Sequence, residues 1–210
     1  MSYFLILAVI PVVAIVLLVV MANRPLPPPD LSHLPPEFVV FDLETTGLDP
    51  ERHEIIEFGA IRIIRDSKEH PYYSALVKPS RKIPAKITQL TGITQSMVDD
   101  EGVPLEEALA GFMDFIGDTP LVAYNAPFDK GFIDAALSRA GHKKRLRRPT
   151  CALKLARRAW RGLPSYKLTA LAERFGLDAS DSHRAIGDCK RTVAVYIAGS
   201  VEIHERYSNG

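Results

Sequence analysis

Six prolines fall within the thirteen residues from Arg24 to Pro36 (RPLPPPDLSHLPP), and they divide the chain. Proline lacks the amide donor and clashes inside a helix, so this stretch excludes helix and central strand and favours extended polyproline backbone. At about 3.1 Å per residue it reaches roughly 40 Å. On its N-terminal side, Tyr3 to Met21 is nineteen residues without a charge. As a helix that run is about 28 Å long, close to the roughly 30 Å of a bilayer core. On its C-terminal side, patterned sequence begins near Glu37. The expected organisation is a transmembrane helix over 1–22, a proline-rich linker over 23–36, a globular domain over 37–200 and a C-terminal tail over 201–210.

Arg24 follows the apolar run and no Lys or Arg precedes it. Positive charge is retained on the cytoplasmic side, so the expected localisation is a single-pass membrane protein with its globular domain in the cytoplasm. The rival is a cleaved signal peptide, suggested by the small-residue site near Val20-Met21-Ala22. The uncharged start and the long apolar core argue against it. Two cysteines, Cys151 and Cys189, are too few for a disulfide framework and read as free thiols in a reducing compartment.

Net charge is +1, but it is unevenly spread. Lys143 to Arg174 holds eleven Lys or Arg and one acid, Glu173, whereas Met97 to Asp118 holds seven acids and no Lys or Arg. A near-neutral total therefore conceals a basic face and an acidic face.

In the globular part, FVVF, EIIEFGAIRII and YYSALVKP read as three strands. Pro84 to Leu90 reads as a short helix, and LEEALAGFMDFIG after Pro104 as an amphipathic one. PLVAYN is a fourth strand, and FDKGFIDAALSRAG is a helix closed by Gly141. RRPTCA is a candidate fifth strand, followed by helices LKLARRAW and KLTALAERFG. A last helix, capped by Asp181 or Ser182, runs through Tyr196. Three strands followed by alternating helix and strand describe an α/β domain with a mixed sheet.

Within this frame four acids and one imidazole stand at strand ends and helix starts. Asp42 and Glu44 are two apart at the end of the first strand, so period-two geometry places both carboxylates on one face. Asp129 follows the fourth strand at a helix start. His183 and Asp188 flank the start of the last helix. Each alone is well explained as a solvated charge. Together they suit a two-metal phosphodiester hydrolase, with the acids holding hard cations and a near-neutral imidazole accepting a proton from water. Thr45-Thr46-Gly47 reads as a tight turn whose backbone N–H groups contact a terminal nucleotide, and Asn125 as a residue positioning substrate or a neighbouring loop.

The strings FDLETTGLDPERHEIIEFGAI, ITQLTGIT, YNAPFDKGFI and SHRAIGDCKRT resemble the DnaQ-like DEDDh 3′–5′ exonuclease family. They cover roughly Glu37 to Ile197, so the resemblance takes in nearly the whole globular part. It implies an RNase H-like three-layer α/β fold with a mixed β-sheet flanked by helices. It also implies two divalent cations, Mg²⁺ or Mn²⁺. In the implied scheme Asp42 bridges both ions, Glu44 and Asp188 help hold the one carrying the nucleophilic water, and Asp129 supports the other. His183 is the implied general base, and the substrate-contact set is Thr45, Thr46, Gly47, Leu48, Leu90, Asn125 and Phe128. The expected substrate is single-stranded DNA or RNA with a free 3′ end, cut to nucleoside 5′-monophosphates. Tyr124 stands where members of the family often carry His. No long segment follows the last helix and no clamp-binding peptide is evident, which favours readings other than a dedicated replicative proofreader. Two alternatives stay open: an RNA-trimming or oligoribonucleotide-degrading enzyme of the same fold, and a catalytically inactive, membrane-tethered nucleic-acid-binding module.

Overall fold

The computed structural model describes residues 30–143, 145–176 and 184–208. The expected transmembrane helix, the first part of the linker, Lys144, the caps Asp181 and Ser182, and His183 lie outside the described residues. Among the described residues no helix is long and apolar enough to cross a membrane.

Five strands form one mixed sheet in the order β3-β2-β1-β4-β5. They are β1 (Glu37–Thr45), β2 (Ile55–Ile64), β3 (Tyr72–Leu76), β4 (Leu121–Ala123) and β5 (Thr150–Cys151). β1 pairs antiparallel with β2 and parallel with β4. β5 continues the parallel side as a two-residue strand. The helices are α1 (Ala85–Thr91), α2 (Gln95–Asp100), α3 (Leu105–Ile116), α4 (Ala126–Arg139), α5 (Ala152–Ala159), α6 (Leu168–Arg174) and α7 (Ala185–Ser208).

Strand alternation builds two cores and hence three layers. Val39, Phe41 and Leu43 of β1 pack with Phe112 and Ile116 of α3 and Phe132 and Ile133 of α4. Phe38 and Val40 point the other way, onto Val193, Tyr196 and Ile197 of α7. Phe112 is the hub of the first core, with the rings of Phe41, Phe58 and Tyr73 around it. Full burial of one such ring stabilises the fold by about 1.5–3 kcal/mol. Gly92, Gly141 and Gly176 stand just past α1, α4 and α6 with positive φ, a conformation that ends a helix without a Cβ clash. Both cysteines are free.

The structure adds three features to the expected organisation. Asp30 to Pro36, the end of the expected linker, docks on the domain. Leu34 is buried against Phe38, Arg65 donates to its carbonyl, and His33 stacks on His204. Two leucines among the prolines supply apolar surface that composition alone obscures. The last helix runs past Tyr196 to Ser208. Arg206 ties that end to the carbonyls of Arg158 and Ala159 and pairs with Glu202 one turn earlier. α2 went unpredicted: its six residues are too few to display a period, although Thr94 caps it through Met97 N–H.

Candidate active site

Asp42 and Glu44 share the parity of Phe38 and Val40, so both carboxylates face α7. What brings α7 to them is a close approach at Gly59, the residue paired with Asp42 across β1 and β2. A Cβ at Gly59 would lie 2.6 Å from Ala185 Cβ and 2.7 Å from its carbonyl carbon, so no side chain fits there. Ala185 is the first residue of α7, and Asp188 follows within its first turn. One carboxylate oxygen from each of Asp42, Glu44 and Asp188 lies within 4.8 Å of the others. Asp129 arrives from the first turn of α4, which begins just beyond the carboxyl end of β4. It is buried, and its Oδ1 has no hydrogen-bond partner among the described residues.

The electrostatics follow from this crowding. Burial, and then the charges of Asp129, Asp188, Glu44 and Glu57, hold the Asp42 carboxyl well above the usual carboxylate range. Burial pushes Glu44 up to about 8, with Asp188, Glu57 and Asp129 adding to the rise and Arg184 opposing it. Asp129 is pushed up to about 7 by burial and by Asp188, against the backbone N–H groups of Leu43 and Asp129 itself. Like charges this close cannot all ionise unless positive charge joins them. Clustered oxygen donors that repel one another, one of them unpartnered, fit hard divalent cations.

Two residues that the sequence reasoning passed over hold the site's geometry. Glu57 lies opposite Glu44 on β2 and is 2% exposed. It accepts from Arg184 Nε at 3.1 Å and Nη2 at 2.7 Å, and from the Ala185 N–H at 2.9 Å. One carboxylate thus satisfies both the guanidinium and an orphan amide at the start of α7. Its signal in the sequence was an acid inside the apolar run IIEFGAI. Arg191, itself buried, holds Asp188 Oδ1 at 2.8 Å. Residues that orient ligands typically change metal affinity or activity by about 10–100-fold. Glu57→Gln should therefore raise the Mg²⁺ concentration needed for half-maximal activity by roughly that factor. An unchanged metal requirement would leave the pair with a purely structural role.

The predicted substrate contacts divide. Thr45 and Thr46 are buried, and their hydroxyls work within the loop. Thr45 Oγ1 donates to the Gly47 carbonyl, and Thr46 Oγ1 accepts from Glu54 N–H. The Thr46 N–H donates to Glu54 O. Gly47 packs on His53, whose ring would lie 2.4 Å from an added Cβ. Leu48 is 83% exposed and Leu90 50%, large apolar side chains open to a ligand. Asn125 is exposed beside the start of α4, and Phe128 is half-buried on Phe132. Tyr124 donates its hydroxyl to the Tyr166 carbonyl and packs with Leu171, so it joins the core to the loop before α6. His183 lies outside the described residues, although Arg184 beside it is clamped as above.

Comparison with known proteins follows the same lines. The family model RNase_T, exonuclease, matches residues 39–196. The DNA polymerase III subunit epsilon of Aquifex aeolicus (strain VF5) is 37% identical over 176 residues, 82% of this chain and 85% of that protein. A PolC-type DNA polymerase III from Clostridium perfringens (strain 13 / Type A) is 41% identical over 160 residues, covering 76% of this chain. The chain spans only 11% of that polymerase's length. Among solved structures, exonuclease X in complex with 5′ overhanging duplex DNA is 28% identical with a TM-score of 0.60, covering 77% of this chain and 90% of that one. Exonucleases of this kind use two divalent metal ions, and the acidic cluster is consistent with that use. With its mixed sheet, its crossing α7 and a match over most of its length, this chain belongs to the RNase_T exonuclease family, of DnaQ-like, RNase H-like fold.

Proposed function

We propose that the chain hydrolyses nucleic acid from its 3′ end by a two-metal mechanism, releasing nucleoside 5′-monophosphates, with DNA as the first substrate to test. The observation that carries this is the convergence of Asp42, Glu44, Asp129 and Asp188 from one strand end and two helix starts. Asp42, Glu44 and Asp188 would hold one cation, and Asp42 with Asp129 would support the second. When bound, Mg²⁺ or Mn²⁺ supplies positive charge at the scissile phosphate and favours ionised water. His183 accepts the proton of the attacking water. The water oxygen bonds to phosphorus as the P–O3′ bond breaks, the departing 3′ oxygen takes a proton to become the new 3′-hydroxyl, and the released unit keeps its phosphate on the 5′ oxygen. Leu48 and Leu90 offer apolar surface to the terminal base or sugar, and Glu57 with Arg184 keeps α7 in place. Relatives named for DNA polymerase III, and a neighbour solved with duplex DNA, support DNA over RNA.

The test is hydrolysis of matched single-stranded, duplex and 3′-recessed DNA and RNA by the full chain, with Mn²⁺ and with chelator. Metal-dependent release of mononucleotides from the 3′ end is the expected result. Chelator-resistant activity would sink the two-metal scheme, and a clear preference for RNA would favour the trimming enzyme of the same fold. The apolar run Tyr3 to Met21 supports a single-pass anchor with the domain in the cytoplasm. In that arrangement the chain stays in the membrane pellet after an alkaline wash, and intact spheroplasts shield the domain from added protease.

A further inference from the structure

The basic stretch between Lys143 and Arg174 is not one uniform surface. Arg147 turns inward and donates to the carbonyls of Gly117 and Thr119 past the end of α3. Arg145 leans toward Asp134, and Arg157 lies over the Tyr166 ring. Arg148, Lys154 and Arg158 take a third course, and together with Lys130 of α4 they surround a half-open cavity of about 560 Å³. Lys130 pairs with Asp134, whereas the other three have no ion pair among the described residues. No acid lines the cavity, and Pro127 and Leu155 contribute apolar wall. An apolar wall with a cationic rim suits a nucleotide unit, whose sugar and base are buried while its phosphates meet the rim.

Its position relates it to the acidic site. β1, β4 and β5 run parallel, so their carboxyl ends lie along one edge of the sheet. The carboxylates sit at the end of β1 and the cavity at the end of β5, two strand spacings apart, roughly 10 Å. That is about three stacking steps of ~3.4 Å along a strand. Pro127 lines the cavity and Asp129 faces the site from the same first turn of α4. A cluster of four carboxylates repels a polyanion, so unpaired cations about three stacking steps away are where a strand gains attraction.

We propose that this cavity, between α4 and α5, binds the phosphodiester backbone of the substrate strand upstream of the bond being cut, which rests on the exonuclease activity proposed above. A mononucleotide ester is too short to reach it, whereas a longer strand spans both places. The experiment compares wild type with Lys154→Glu/Arg158→Glu and with the milder Lys154→Ala/Arg158→Ala, all in the full chain. Two substrates are used: a single strand of roughly twenty nucleotides and the p-nitrophenyl ester of thymidine 5′-monophosphate. The expected result is that preference for the strand over the ester, as a ratio of kcat/KM, falls about tenfold or more. Salt dependence of strand binding should flatten by about 1.4 in log–log slope, for two contacts of about 0.7 each. An unchanged ratio overturns the proposal, as does an equal loss on both substrates. Weaker inhibition by free thymidine monophosphate with no change in the ratio would reassign the cavity to a free nucleotide. Strand binding is also read by fluorescence anisotropy, independently of turnover. If no hydrolysis occurs and the slope still flattens in the variants, the exonuclease activity fails while the cavity stands.

Discussion

Asp42→Asn should lower exonuclease turnover by on the order of 10³-fold or more, the cost of losing a group that organises transition-state charge, while making the metal-free protein no less stable. The two effects have opposite signs because the same carboxylate that would hold metal is crowded by Asp129, Asp188 and Glu44 in a buried site. Glu44 extends the point to pH. Its folded-state pKa of about 8 lies above the ordinary value of 4.5, so the folded protein holds that proton more tightly than the unfolded chain does. The stability this contributes is fully present below about pH 4.5 and is lost as pH rises through about 8. The melting temperature of the metal-free wild type should therefore fall between pH 6 and pH 9, and Asp42→Asn should shallow that fall. Added Mn²⁺ should raise the wild-type melting temperature most at the alkaline end, since binding there displaces fewer protons. Thermal melts with and without chelator measure all three. A variant that melts well below wild type, or that keeps full activity, would remove Asp42 from a charge-crowded metal site.

His183→Ala should reduce turnover by about 10²–10⁴, the range for loss of a general base, while metal binding and strand affinity stay near wild type. The expectation comes from the string SHRAIGD and from the anchoring of its neighbours. Arg184 and Ala185, which follow His183 in the chain, are both tied to Glu57 beside the carboxylates. An imidazole titrates near neutrality, so the wild-type pH–rate profile should rise there and the variant's should not. Single-turnover rates on a 3′-labelled strand separate this from a change in product release. A variant as fast as wild type would require another base.

The features legible in the sequence were those set by short-range physics. Alternation along FVVFDLET places Asp42 and Glu44 on one face, and a strand keeps that period wherever it sits in a fold. Glycines with positive φ end α1, α4 and α6 because other residues rarely adopt that backbone. The two-residue strand Thr150–Cys151 was legible only as a candidate, since pairing with β4 rather than any local pattern defines it. What required the folded molecule was set by residues far apart in the chain. Glu57 and Arg184 are separated by 127 positions, and neither carries a local pattern that announces the other. Gly59 reads as an ordinary strand glycine until α7 is found against it. The same holds for the eleven cations between Lys143 and Arg174, which composition treats alike. Tertiary packing turned Arg147 onto backbone carbonyls and left Lys154 and Arg158 at a cavity, because a guanidinium near the orphan carbonyls at a helix end binds them, whereas a cation on an open rim has only solvent or a ligand to meet.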